Sequence, residues 1–313
     1  MSDPSAENRS PSGTVSMWVG LLVLVTLLWG NAFVAIKRVI AYVTPLELVT
    51  VRYVPVAITF VLILIPTRRR QVWRAIREDG WRLVLLGLAG GVLYNIFLGW
   101  GEMGVGAGTA SLIIALNPAF TYVLSVLFLG EAFSWRRALG LVVAFGGLFI
   151  IIRWGSGRAV TWDDFGYALI TTLAPVSWAV YTVAGKPLLA RHPPLVVAGL
   201  SMSFAGAMSL VFIRPSSLSR LVQLPLEIWG AILFLALACT VFAFIVWFGA
   251  LQHLSAGRVA SFVYLVPMFA VTFGHWLLDE PVTLALLLGA VVLVAGVWLV
   301  NRDASGESPE ERP

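Results

Sequence analysis

Charge is scarce in this chain. Only 12% of its 313 residues are Asp, Glu, Lys or Arg, while 59% are hydrophobic. A water-soluble domain carries about 25% charged residues, so lipid rather than water is the solvent for most of this sequence. Cysteine is scarcer still. Cys239 stands alone inside an apolar run, which excludes an internal disulfide framework and any cysteine-rich metal centre. The three histidines, His192, His253 and His275, show no metal-ligand spacing. Carboxylates are absent from the middle of every long apolar run; Glu102, Glu131, Asp279 and Glu280 stand at the ends. That disfavours polycationic substrates and proton coupling through a central Asp or Glu. There is no His-Glu-x-x-His, no paired aspartates and no serine dyad with a base, so an intramembrane enzyme is not expected. Neither a cofactor nor a metal is implied.

What is present is apolar sequence in lengths of about 20 residues, the span of a transmembrane helix. Ten such runs are expected, at 17–36, 45–65, 83–101, 107–129, 135–152, 164–186, 194–213, 228–249, 256–278 and 283–300. The first is too long for a signal-peptide core. Residues 1–16 and 303–313 are polar and are expected to be disordered tails. The net charge of +5 and pI near 9.7 do not point to nucleic acid, because the basic residues lie between apolar runs. With the N-terminus inside, 14 of the 21 Lys and Arg fall on the inner side, six on the outer, and Arg52 inside a span. The positive-inside rule then places both tails in the cytoplasm, as in a multi-pass protein of a bacterial inner membrane. The lipid bilayer and a small-molecule substrate are the expected partners, with a homodimer left open.

The sequence also repeats. AGTASLIIALNPAFTYVLSVLFLGE at 107–131 returns, without a gap, 149 residues later as AGRVASFVYLVPMFAVTFGHWLLDE at 256–280. Proline and glutamate are rare in membrane helices, yet Pro118/Pro267 and Glu131/Glu280 keep register. The same offset relates Trp29 to Trp178, Lys37 to Lys186, Gly140 to Gly289 and Gly147 to Gly296. Two repeats, 17–153 and 164–302, therefore hold five spans each. Five is odd, so the second enters from the opposite side. The expected fold is an all-α polytopic membrane protein of ten transmembrane helices in two inverted-topology repeats, with substrate near the midplane between them.

WGNAFVAIK at 29–37, Pro45 with Arg52, NPAF at 117–120, Glu131 after the fourth span and the glycine-bearing fifth span together resemble the EamA-like family of the drug/metabolite transporter superfamily. The resemblance implies ten helices around a central cavity and transport of amino acids or related metabolites, often as export. Ser201 stands at the counterpart of Arg52 and Ala179 at that of Gly30, so any role of Arg52 is asymmetric.

Polar groups inside spans are costly and point to function. Candidate substrate contacts are Asn31, Arg52, Asn95 and Asn117, the aromatics Tyr94, Trp178, Tyr181 and Tyr264, and His275 late in the ninth span. Arg52 lies about 10 Å deep at 1.5 Å per residue. There it either clamps a carboxylate, snorkels to the surface or pairs with Glu47. Proline removes an amide donor and kinks a helix, so Pro118 and Pro267 are candidate hinges. Lys37 with Glu280, and Lys186 with Glu131, fall at opposite faces. They are either alternating ion-pair gates or hydrated helix ends, with Ser134 and Thr283 capping the helices that follow. A non-transporting receptor or assembly subunit, and a carrier of sugar-type solutes, are the rival readings.

Overall fold

The computed structural model describes residues 12–155, 162–254 and 256–301. Among them every regular element is helical, as lipid demands, because only a helix or a closed barrel satisfies its own backbone there. Eight stretches are long and apolar enough to cross a membrane, with a shorter apolar helix at 284–300. The chain is a multi-pass membrane protein. The expected tails lie mostly outside the described residues, but α1 (Ser12–Val39) begins ahead of the expected first span.

The second and third expected spans form one 58-residue path, Pro45–Glu102. α2 (Pro45–Leu86) opens on a capping box. The Thr44 hydroxyl accepts from the Glu47 amide while the Glu47 carboxylate accepts from the Thr44 amide. The 66–82 stretch, expected as a plain connection, is helical as well. The path turns at Arg68 and Asp79, where φ is −139° and −137°, and buries Val72 and Ala75 on the segment between them. It then widens into a π-helical segment, Gly87–Leu93, before α3 (Tyr94–Glu102).

The proline-bearing spans are divided rather than merely kinked. α4 (Ala107–Ile114) ends before α5 (Asn117–Leu129), and α12 (Ala256–Ser261) passes through a 3-10 turn, Phe262–Leu265, to α13 (Val266–Leu278). Each proline sits in the first turn of the second piece, where its missing amide costs no helical bond. Just ahead, the amide of Leu116 tightens to the carbonyl of Ile113.

The remaining helices are α6 (Trp135–Trp154), α7 (Trp162–Leu189), α8 (Pro194–Ser209), α9 (Pro215–Val222), α10 (Leu226–Leu233), α11 (Ala243–Ala250) and α14 (Leu284–Asn301). α9 fills part of an expected connection. A second π-helical segment, Phe234–Phe242, joins α10 to α11. Adding 149 to Gly87–Leu93 lands on residues 236–242, inside this segment. Both α5 and α13 end on a left-handed residue, Gly130 at φ 67° and Asp279 at φ 53°. In each case the next amide reaches back six residues, Glu131 to Ser125 and Glu280 to Gly274.

Packing follows the same offset. α6 lies on α14, and α2 on α8. α7 packs on α3 as α1 packs on α10 and α11, and α13 packs on α1 as α5 packs on α7. The α6–α14 crossing is set by glycines. A Cβ on Gly147 would stand 2.7 Å from the Gly289 carbonyl oxygen, and one on Gly296 would stand 2.7 Å from that of Gly140.

Candidate functional site

Arg52 is buried on α2, two turns past Pro45. It neither snorkels nor meets Glu47, whose carboxylate instead holds Arg220 and Thr44. Its Nη1 donates to Asn95 Oδ1 at 2.9 Å and its Nη2 to the Thr240 hydroxyl at 3.1 Å. Asn95 in turn donates to the Tyr53 hydroxyl and to the Gly91 carbonyl, both at 2.8 Å. Thr240 donates to the Leu235 carbonyl at 2.9 Å. A buried guanidinium is tolerated only with such acceptors around it. Both acceptors stand at a π-helical segment, Asn95 just past the first and Thr240 within the second. Wide turns of this kind recur at functional sites.

The Arg52 Nε and the Asn117 Oδ1 are buried without a protein partner. Unsatisfied buried polar atoms call for an explanation. Tyr94, next in the chain to Asn95, opens an aromatic series. The ring of Tyr94 is 5.3 Å from Trp178, and Trp178 is 5.0 Å from Tyr181. Gly90 makes room for it, since a Cβ there would meet the Tyr181 ring at 2.6 Å. The matching Trp29 on α1 donates to the Cys239 carbonyl at 2.9 Å and lies 5.2 Å from Trp247.

The sequence candidates thus divide. Arg52, Asn95, Tyr94, Trp178 and Tyr181 gather between α2, α3 and α7. Asn31 is half-buried on α1, and Tyr264 is half-buried in the turn ahead of Pro267. His275 is exposed, with a ring nitrogen 3.0 Å from the Glu280 carbonyl oxygen. Tyr53 and Thr240 were missed. Thr240 sits in a long apolar run that gives no signal, and its counterpart in the first repeat is Gly91.

At one end of the bundle, Lys37 donates to the carbonyls of Glu102, the last residue of α3, and of Val105 in the loop after it, each at 2.6 Å. The Glu280 carboxylate accepts from the amides of Ala107 at 2.6 Å and Gly108 at 3.1 Å, capping α4. Glu280 also borders a cavity of about 240 Å³ with Asp164, Gly106 and Val105. At the other end, Lys186 pairs with Glu131 at 3.0 Å, with the lysine side chain 64% exposed. Ser134 and Thr283 cap α6 and α14.

Glu78, Asp79 and His192 have ligand atoms within 4.8 Å of one another. Arg82 and Arg191 already hold Asp79 at 3.0 Å each, and His192 at 2.8 Å. Two guanidinium groups on the shared carboxylate oppose a cation, so the cluster is a clamp fastening α2 to the loop ahead of α8. Burial raises the Asp79 carboxyl, but the His192 hydrogen bond and the Arg191 and Arg82 charges outweigh it and hold the group below its usual range.

The profile of the EamA-like transporter family matches residues 16–153 and again 165–302. The chain belongs to the EamA-like transporter family. Among similar EamA-like proteins, an uncharacterized transporter of Archaeoglobus fulgidus is 30% identical over 91% of this chain and 98% of its own length. A probable terminal-alkyne amino-acid exporter of Streptantibioticus cattleyicolor is 34% identical over 95% and 97%. One solved crystal structure shares the fold at a TM-score of 0.61 and 19% identity, covering 94% of this chain and 99% of that one. This EamA-like chain therefore carries its polar centre across the boundary between the two matched segments, with Arg52 and Asn95 in one and Thr240 in the other.

Proposed function

We propose that the protein is a secondary transporter that exports small zwitterionic metabolites, amino acids first among them, by alternating access. The observation that carries this reading is the Arg52 guanidinium, held between the two halves with an unsatisfied Nε and bonded to Asn95, whose chain neighbour Tyr94 meets the Trp178 ring. A guanidinium binds a carboxylate, the Asn117 amide oxygen accepts from an ammonium, and the aromatic faces take the side chain. Export as the direction is supported by the Streptantibioticus relative, a probable amino-acid exporter.

In this reading the 58-residue path Pro45–Glu102 crosses twice and the whole chain ten times. Five spans per repeat put the halves upside down with respect to each other. The exchange of packing partners under the 149-residue shift supports that arrangement. The repeats are 17–153 and 164–302, in the cell membrane with both termini in the cytoplasm. The Lys37 end is then the outer one, and the Lys186–Glu131 pair lies at the inner one. Pro118 and Pro267 are the bending points, since each opens a separate helical piece.

The test is reconstitution into liposomes with a panel of radiolabelled amino acids, sugars and organic cations, with and without a pH gradient. Accumulation of one or more amino acids that vanishes in Arg52→Gln supports the reading. Uptake of sugars alone, or no solute flux from correctly folded protein, overturns it.

A further inference from the structure

Two carboxylates meet near Lys37, and they are treated in opposite ways. Both oxygens of Glu280 have donors, one the Ala107 amide and the other the Gly108 amide at the start of α4. Glu102, the last residue of α3, is 0% exposed, and neither of its carboxyl oxygens has a hydrogen-bond partner. Helix N-terminal amides suit a charged carboxylate. An apolar site without a donor suits a carboxylic acid, because an ion there lacks the hydrogen bonds that offset its lost hydration. The charged groups that reach Glu102 are Lys37 from α1, Arg52 from α2 and Glu280 beyond α13. Tyr94 faces it from α3 itself, and α7 brings Asp164 to the wall of the adjoining cavity. α4 brings no titratable side chain.

Lys37 ties the same turn shut from outside. Its ammonium holds the carbonyls of Glu102 and Val105, so the loop that follows Glu102 and the lysine that fastens it form one latch. In the alternating-access reading, opening this end breaks those bonds and admits water to the carboxyl.

We infer that Glu102 is a proton-binding site: closing the Lys37 end takes one proton from the water on that side onto the Glu102 carboxylate, and opening that end returns it. The inference rests on the alternating-access reading. It adds that acidity on the Lys37 side favours the closed form and alkalinity the open one.

The test needs no substrate, so it reads the site whether or not any solute of the panel is carried. Cysteines replace Tyr42 and Trp162, which are 44% and 89% exposed on either side of this end, in a Cys239→Ala background. Both carry nitroxide labels, and their distance distribution is recorded from about pH 5.5 to about pH 8.5 in nanodiscs. With Glu102 present, a single short distance at the acid end gives way to a longer population at the alkaline end. Glu102→Gln stays at the short distance throughout, and Glu102→Asp keeps a pH response. Elution and melting of each variant establish that it is folded. A distance that ignores pH in the parent protein, or one that shifts equally in Glu102→Gln, overturns the proposal.

Discussion

The Nη2 of Arg52 stands 3.1 Å from the hydroxyl of Thr240, 188 positions away in the other half of the molecule. The same guanidinium reaches Asn95 at 2.9 Å. Arg52→Lys keeps the charge but loses the fork that meets both partners at once. Transport by Arg52→Lys is expected to fall about tenfold or more, the equivalent of about 1.4 kcal/mol or above, and Arg52→Gln to abolish it. Initial rates in liposomes at matched protein loading check both.

Packing gives the next expectation. A Cβ on Gly147 would stand 2.4 Å from the Leu293 amide nitrogen, while Gly146 next to it has nothing within 4 Å. Overpacking of this kind costs about 1–3 kcal/mol. Gly147→Ala is expected to melt earlier in detergent by a corresponding margin and Gly146→Ala to match the parent.

Asp79 supplies a pH signature. Its folded carboxyl titrates below its ordinary value, because His192, Arg191 and Arg82 together outweigh burial. The stability it contributes is therefore complete above the unfolded value near 4 and is lost as pH falls through the lower folded value. Asp79→Asn is expected to destabilise by about 1–3 kcal/mol at neutral pH. That gap should narrow below about pH 4, as thermal melts across pH would show.

The two ends of the bundle should respond differently to charge removal. The Lys186–Glu131 pair is exposed, and such pairs contribute about 0–1 kcal/mol. Lys186→Ala should leave the melting temperature almost unchanged. Glu280 caps two amides of α4, and losing a cap costs about 0.5–2 kcal/mol. Glu280→Ala is expected to melt measurably earlier.

Pro118→Ala and Pro267→Ala restore an amide that each span lacks and favour a continuous helix. Slower flux with unchanged or higher stability is the expected outcome for both. Parent-like flux in both variants would remove the hinge assignment.

The broad plan was legible in the sequence because apolar length and the 149-residue echo are properties of residue type alone. Pro118, Glu131 and their partners carried the repeat, and Arg52 announced itself as a charge inside a span. Its partners stayed hidden for a physical reason. Which acceptors a guanidinium meets depends on helix rotation, and both acceptors are turned by π-helical segments that leave no mark on a hydropathy pattern. Pro118 and Pro267 promised a bend, but the full break needs the tightened turn ahead of each. Lys37 and Glu280 read as charges at ends, yet the groups they hold are backbone carbonyls and amides, which every residue owns and no composition displays.

Cys239 offers the last consequence. Its sulfur donates to the Leu28 carbonyl at 3.4 Å, and the residue is 2% exposed where α1 presses on the second π-helical segment. No other thiol exists in the chain. The native molecule therefore holds a built-in reporter of that seam: a maleimide finds nothing to attack until the two walls part.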